Sequence, residues 1–579
     1  MKDKKILLVA INSKYIHSNL AVYCLKSAAA PYDNLVHIKE YSINNQLKDI
    51  LRWIYEEKPD VIGFSCYIWN ISYVTGLIEE LSKIMPKVHI WLGGPEVSYN
   101  ATNYVSKYPF VKGVMKGEGE EIFRQLVSCY ANDDMDGIAR INGITMNYNG
   151  EIIDNAYMAP MVELQQVPYD INALENRIIY YESSRGCPFS CSYCLSSIDK
   201  KLRFKDLNMV KQDLDMFIAH EVKQVKFIDR TFNAKKNHAY AIWRHIMEKD
   251  KGITNFHFEV AADLLDDEGI ELLNSMRPGL VQLEVGVQST NGDTITAINR
   301  KMNIDKVRSV VERIHSKGNV HMHLDLIAGL PYEDLTSFSK SFDDIYSMKP
   351  EQLQLGFLKV LHGSPMEIDA AKYGIVTESM PPYEVLYTRW LSFDDVLLLK
   401  LVENVVEMFY NSGMFKTSLN YLEKHFKSPF EMYRLLGEYY DMKYPSGSLP
   451  SRNGKYELVY EFFTQFEQID EGYLVELLKY DMLCRDNLKS LPYFIKQDNE
   501  TAIRARKLWP GEKMTKAEHI EIFKIDIQKY INSGVIQEGE FPLHFDYLNR
   551  DALTNNATII TITEMENNNE RRTGNNPAN

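Results

Sequence analysis

Three cysteines crowd one short stretch, Ser183-Ser184-Arg185-Gly186-Cys187-Pro188-Phe189-Ser190-Cys191-Ser192-Tyr193-Cys194. Their spacing, C-x3-C-x2-C, puts three thiolates on one loop directly after the apolar run Ile178 to Glu182, which reads as a strand. Each thiolate can take one iron of a cubane cluster, whereas a cluster that only transfers electrons normally takes four protein ligands. One iron is then left open, a Lewis acid able to chelate an amino and a carboxylate group and to pass an electron to what it holds. The competing reading is a zinc knuckle, since C-x2-C pairs are common zinc ligands. That reading lacks a fourth ligand, because no Cys or His follows Cys194 until His220.

The elements that must position this loop come from hydrophobic patterning. From Arg177 to about Pro365, apolar runs at Ile178 to Glu182, Gln224 to Ile228, Asn255 to Ala261, Leu280 to Val287, Val320 to Ala328 and Gln352 to Val360 alternate with helical stretches. That alternation predicts an open (β/α)6 barrel with the cysteines after its first strand. Upstream, Lys5 to Ile11, Leu35 to Tyr41, Asp60 to Tyr67, Lys87 to Gly94 and Val111 to Lys116 predict a five-stranded parallel sheet of flavodoxin-like type. A hairpin over Ile138 to Asn155, turning at Asn149-Gly150, leads to a linker with Pro160 and Pro168. Beyond Asp369 the spacing turns helical: Tyr383 to Phe409, Ser428 to Tyr440 and Lys516 to Ile531 read as helices, with a loop over Tyr444 to Asn453. The expected fold class is α/β: a flavodoxin-like (Rossmann-type) parallel sheet over 1–135, a hairpin and linker over 136–175, a partial TIM-like barrel over 176–368, and a mainly α domain over 369–563. The Asn- and Glu-rich tail, 564–579, has little to bury and is expected to be disordered.

The cysteine loop resembles the hallmark of the radical S-adenosylmethionine (SAM) superfamily, C-x3-C-x-aromatic-C, with Tyr193 as the aromatic. The resemblance implies a [4Fe-4S] cluster on Cys187, Cys191 and Cys194 whose open iron binds SAM, with Tyr193 beside the adenine. It implies further SAM contacts from Asp229 and Arg230 at the second strand, and from Glu284, Gln288, Ser289 and Arg300 at and after the fourth. Gly329 on the fifth strand and Leu358 at the sixth complete that set. As ordinary barrel residues, the same positions would be strand ends facing solvent or core.

In open parallel sheets, ligands bind at the carboxyl ends of the strands where strand order reverses. Here those ends carry Asn12, Ser65-Cys66-Tyr67, Gly93-Gly94-Pro95 and Gly117-Glu118. By themselves such turns suit a flavin, a nucleotide or nothing. A flavodoxin-like domain ahead of a radical SAM barrel, however, resembles the cobalamin-binding branch of the superfamily, and that resemblance makes these nine residues the expected cobalamin site. Ser65 and Gly93-Gly94 match two of the cobalamin-domain signatures; the third, D-x-H-x-x-G, is absent, so no histidine is offered as a lower cobalt ligand.

A net charge of -14 opposes a nucleic-acid partner. The apolar runs are too short or too interrupted to span a membrane, and seven cysteines, an odd number, do not suggest a secreted disulfide framework, so a cytoplasmic, anaerobic enzyme is expected. The remaining cysteines, Cys24, Cys129 and Cys484, read as small apolar residues, which disfavours methylthiolation by a second cluster. The resemblance implies a cobalamin-dependent methyltransferase acting on an unactivated carbon of a small-molecule or peptide substrate, served by a reductant such as flavodoxin or ferredoxin. Radical cyclisation or rearrangement is the enzymatic alternative, and an iron–sulfur or zinc binding module the non-enzymatic one. No catalytic side chain beyond the cofactor ligands is assigned.

Overall fold

The computed structural model describes residues 4–157, 163–172, 174–445, 447–487, 490–496, 499–509 and 514–561. The tail expected to be disordered lies outside them. The chain divides into two compact units, Met1–Val320 with Gly329–Asp334 and Phe357–Ser392, and His321–Ala328 with Leu335–Gly356 and Phe393–Asn579.

The first unit opens on a seven-stranded sheet: β1 (Ile6–Asn12), β2 (Val36–Ser42), β3 (Val61–Ser65), β4 (His89–Gly93), β5 (Val111–Met115), β6 (Ile144–Tyr148) and β7 (Glu151–Asp154), in the order β2-β1-β3-β4-β5-β6-β7. The first five pair in parallel, Ile6 lying opposite both Val36 and Val61. β1 is apolar at nearly every position because both its faces are covered. Leu7, Val9 and Ile11 pack with Ile50, Ile54 and Leu77 on one side, and Ile6, Leu8 and Ala10 with Val22, Phe123 and Leu126 on the other. The chain leaves β1 in opposite directions toward β2 and β3, which puts the switch-point crevice at the ends of β1 and β3. Two strands beyond the expected five join this sheet. The hairpin starts only at Ile144, after a short helix at Met135–Ile138, and adds to β5 in antiparallel fashion through Met115 opposite Ile144. Its turn has positive φ at both Asn149 and Gly150, the hand that a two-residue hairpin needs.

The barrel strands of this unit are β8 (Ile179–Tyr181), β11 (Gln224–Phe227), β12 (Asn255–Glu259) and β13 (Val281–Gln288), paired in parallel. Between β8 and β11 a two-stranded antiparallel pair, β9 (Ser184–Arg185) and β10 (Arg203–Phe204), closes the base of the cysteine loop. Along β13 the burial alternates: Val281, Leu283, Val285 and Val287 are buried, and Gln282, Glu284, Gly286 and Gln288 are only half so. The next two strands in sequence, β14 (His321–Ala328) and, apart from its last residue, β15 (Gln352–Phe357), lie in the second unit.

The C-terminal part is mainly helical, with helices at Phe393–Val405, Pro429–Lys443, Arg452–Phe463 and Glu471–Arg485. Two expected helices are shorter than their spacing suggested. Tyr383 to Phe409 begins as β17 (Val385–Tyr387), paired antiparallel with β16 (Val376–Thr377), and becomes helical only at Phe393. Lys516 to Ile531 splits into β18 (Glu518–Ile525) and a helix, Ile527–Ser533, started by Asp526 accepting from the Lys529 amide. Ile520 and Ile522, two residues apart, carry the strand period that the helical reading overlooked. β18 pairs with β19 (Glu538–Arg550), and β19 with β20 (Ala557–Thr561), in an antiparallel sheet. No helix among the described residues is long and apolar enough to cross a membrane.

Candidate active site

The cysteine loop is fastened at many points. The Cys187 amide donates to the Asp199 carbonyl at 3.0 Å. Gly186 takes φ +93°, and a Cβ there would lie 2.5 Å from the Lys201 carbonyl oxygen, so only glycine fits this turn. On the other side, the Ser192 amide donates to Ile298 O at 2.9 Å, and Asn299 Nδ2 to Ser190 O at 3.0 Å. Cys187 and Cys191 are buried, Cys194 half so; Cys187 Sγ lies 3.6 Å from Thr231 Oγ1. Among the described residues no three ligand side chains close on a point as for a single ion. A cubane asks for a wider set, each thiolate taking its own iron. Arg300 faces this loop, Nη1 donating to Cys191 Sγ at 3.5 Å and to the Tyr193 hydroxyl at 3.1 Å, and Nη2 to Gly286 O.

Cys194 and Tyr193 line a cavity of about 990 Å³, at the upper end of ligand-pocket sizes. Its opposite wall is the switch-point end of the seven-stranded sheet: Asn12, Ser65, Tyr67, Gly93, Gly94, Pro95, Gly117 and Glu118 all line it. Of the residues expected at cobalamin only Cys66 does not. One position past Ser65, it turns the other way into the core, with Sγ 3.6 Å from Phe64 O. Gly94 is needed for the floor, because with φ +117° a Cβ would lie 2.5 Å from Cys66 O. The polar groups around the crevice bond to one another, Asn19 Nδ2 donating to Ser65 Oγ at 3.2 Å and Asn12 Nδ2 to Glu40 Oε2 at 2.8 Å. Asn19 Oδ1 is buried with no partner among the described residues, an acceptor available to a ligand in the cavity. The Glu118 carboxylate is already engaged by Arg185 and Arg203.

The expected SAM contacts separate into two groups. Tyr193 and Arg230 line the cavity; Asp229, Glu284, Gln288, Ser289, Arg300, Gly329 and Leu358 do not. Asp229 is fully buried beneath the loop, accepting from the Ser183 amide and from the Ser183 and Ser184 hydroxyls at 2.9, 2.7 and 2.6 Å. Burial raises its carboxyl to about 6 against these three bonds. Ser289 donates to Glu333 at 2.6 Å, and Leu358 is core. At Gly329, φ is +87° and a Cβ would strike Val385 at 2.6 Å, so packing explains the glycine. Glu284 accepts from Lys226 Nζ at 3.1 Å and bonds His257 Nε2 at 2.9 Å. Burial pushes its carboxyl up, but these two partners outweigh it and hold it down at about 2.

Patterning missed other cavity residues: His17 and Asn19 after β1, Trp69 after β3, Glu96, Lys226 on β11, Glu259 ending β12, and His362. Only the polar run His17-Ser18-Asn19 after a wholly apolar strand was a readable signal. Glu259 is pushed up by burial, with Arg230 opposing the rise.

A family model described as B12 binding domain matches residues 6–127, one described as radical SAM superfamily matches 181–345, and one described as a protein of unknown function, DUF4080, matches 371–545. The chain therefore carries a B12-binding domain followed by a radical SAM domain. The cofactor set of the two matched domains is a [4Fe-4S] cluster, SAM and cobalamin. The chain is 24% identical to the cobalamin-dependent radical SAM methyltransferase TokK of Streptomyces tokunonensis, over 55% of its own length and 50% of TokK. It thus spans about half of that relative. It is 21% identical to the anaerobic magnesium-protoporphyrin IX monomethyl ester cyclase of Rubrivivax gelatinosus, over 56% of this chain and 62% of the cyclase. The solved structure of OxsB, a cobalamin-dependent SAM radical enzyme with aqua-cobalamin bound, shares the fold at a TM-score of 0.58 and 14% identity, covering 83% of this chain and 80% of that one.

Proposed function

We propose that this chain is a cobalamin-dependent radical SAM methyltransferase acting on an unactivated carbon. The observation that carries this reading is the single cavity lined both by Tyr193 and Cys194 of the cysteine loop and by the switch-point crevice of the seven-stranded sheet. When bound, the three cofactors supply one-electron cleavage of SAM and a transferable methyl group. Cys187, Cys191 and Cys194 would hold the cluster, and Asn12, Ser65 and the Gly93-Gly94 floor would hold cobalamin. Tyr193 and Arg230, both on the cavity wall, would contact SAM. The chain's own part is placement: Asp229 and the Ile298–Arg300 turn fix the loop, while Tyr99, Tyr157 and Trp69 give the cavity aromatic walls. A small-molecule or peptide substrate and a flavodoxin or ferredoxin as electron donor complete the proposal, in a cytoplasmic setting.

Likeness to the cyclase favours a second reading, in which both cofactors serve ring closure. SAM carrying a labelled methyl group separates the two. After anaerobic reconstitution and incubation with cell extract and reductant, label in a product supports methyl transfer. Continued 5′-deoxyadenosine formation with no labelled product supports cyclisation, and absence of SAM cleavage sinks both.

A further inference from the structure

We infer that Arg300 is the electrostatic partner of the cluster and raises its reduction potential. The inference rests on the cluster assignment made above. Arg300 is half-buried with its Nε shut from solvent, yet its guanidinium reaches no carboxylate among the described residues: Nη1 meets Cys191 Sγ and the Tyr193 hydroxyl, Nη2 meets Gly286 O, and Nε has no partner. A guanidinium drawn even partly out of water without a counter-charge carries a desolvation cost, which an anion placed beside it offsets. The nearest source of negative charge is the cysteine loop. Three thiolates on a cubane leave a net negative group, and Cys191 Sγ, 3.5 Å from Nη1, belongs to it.

The surroundings hold the guanidinium to that task. Asn299, with φ +53°, turns the chain so that its own amide clamps Ser190 O while the next residue points back at Cys191. Gly286 leaves the strand open at this point: a Cβ there would lie 2.3 Å from Gln288 Nε2 and 3.7 Å from Arg300 Nη2. A cation and an N–H···S bond stabilise a cluster more as it gains an electron, so their effect is to raise the potential. Arg300 is in these terms a positioning and tuning residue rather than a catalytic one.

The test uses the full chain, reconstituted anaerobically with iron and sulfide and without SAM, and titrated potentiometrically while the reduced cluster is followed by electron paramagnetic resonance. R300M and R300Q should retain wild-type iron content but show a lower midpoint. At a fixed potential on the foot of the curve, the ratio of reduced to oxidised cluster should fall about tenfold, equivalent to about 59 mV for one electron. R300K, which keeps the charge, should recover most of the difference. An unchanged midpoint in R300M and R300Q overturns the inference, also where their affinity for SAM falls, since Arg300 then serves SAM alone. Loss of the cluster from both neutral variants assigns Arg300 to folding the loop and overturns it too. A wild-type chain that takes up no cluster refutes the proposed function instead.

Discussion

At the residue scale, the cysteine triplet and Asp229 differ in what they offer. The thiols are defined by their spacing and can be judged in isolation. Replacing Cys194, the member that lines the cavity, with Ala should leave folding nearly untouched while iron content and SAM cleavage both collapse; iron assay and 5′-deoxyadenosine quantification check this. Asp229 looked like a ligand contact because polar residues at strand ends often are. Its carboxylate is spent on the Ser183 amide and two hydroxyls, out of reach of the cavity, a choice of face that one sequence does not reveal. Burial gives it a folded-state value of about 6 against an ordinary 3.8. Between those values the folded chain keeps a proton that the unfolded chain has released, so stability present at low pH is lost as pH rises through the window. With 1.36 kcal/mol per unit, the loss is up to roughly 3 kcal/mol. In D229N this dependence is absent. Denaturation midpoints of wild type and variant should therefore converge or cross between pH 4 and 6, and a constant gap would contradict the assignment.

At the scale of elements, strand identity was readable wherever both faces or one face of a strand are buried in a regular way. β1 to β5 and the barrel strands lie within a few residues of their apolar runs, because a parallel strand must be apolar at least on the face that its covering helices pack against. The hairpin turn was readable from Asn149-Gly150, but its addition to the sheet edge was not, since edge pairing leaves no mark in local pattern. β18 and β17 fall within stretches whose spacing reads as helix, because short half-buried strands beside real helices carry only two or three periodic positions. The Gly93-Gly94 turn shows a signal whose physical cause the fold supplies. At φ 117° and ψ 171°, Gly94 occupies a region open only to glycine, and the Cys66 backbone sits where a Cβ would go. Gly94→Ala should cost about 1–3 kcal/mol from backbone strain alone and displace the floor of the cavity. Thermal melting should show the loss, and cobalamin uptake, followed by its visible absorbance, should fall at least tenfold while iron content of the barrel is retained.

At the scale of the molecule, the first unit works only if the seven-stranded sheet and the barrel strands keep a common cavity between them. The joint is made partly by backbone and neutral contacts: Ile178 N to Ile16 O at 2.7 Å, Ser18 Oγ to Ile178 O at 2.9 Å, and His17 Nδ1 with the Tyr180 hydroxyl at 2.8 Å. A charged knot adds to it. Glu118, after β5, accepts from Arg185 at 3.0 Å and Arg203 at 2.8 Å, the two residues whose strands β9 and β10 close the cysteine loop. Arg185 is shared with Glu120 and Glu182, and Arg203 with Asp199. Burial alone would raise the Glu118 carboxyl, yet the two guanidinium groups hold it below the usual range. Because these groups are only about one-sixth exposed, at 18% for Glu118 and 15% for Arg203, the pair escapes the screening that makes surface ion pairs nearly worthless. A double-mutant cycle of E118Q and R203M should return a coupling of about 1–3 kcal/mol in the stability of the first unit. Hydrogen exchange gives the sharper readout: in either single variant, amides of β4 and β5 and of the cysteine loop should lose protection together, as two ends of one fastening. If the coupling falls below about 0.5 kcal/mol, or if only one end loosens, the neutral contacts at Ile178 and Tyr180 carry the joint and the charges merely decorate it.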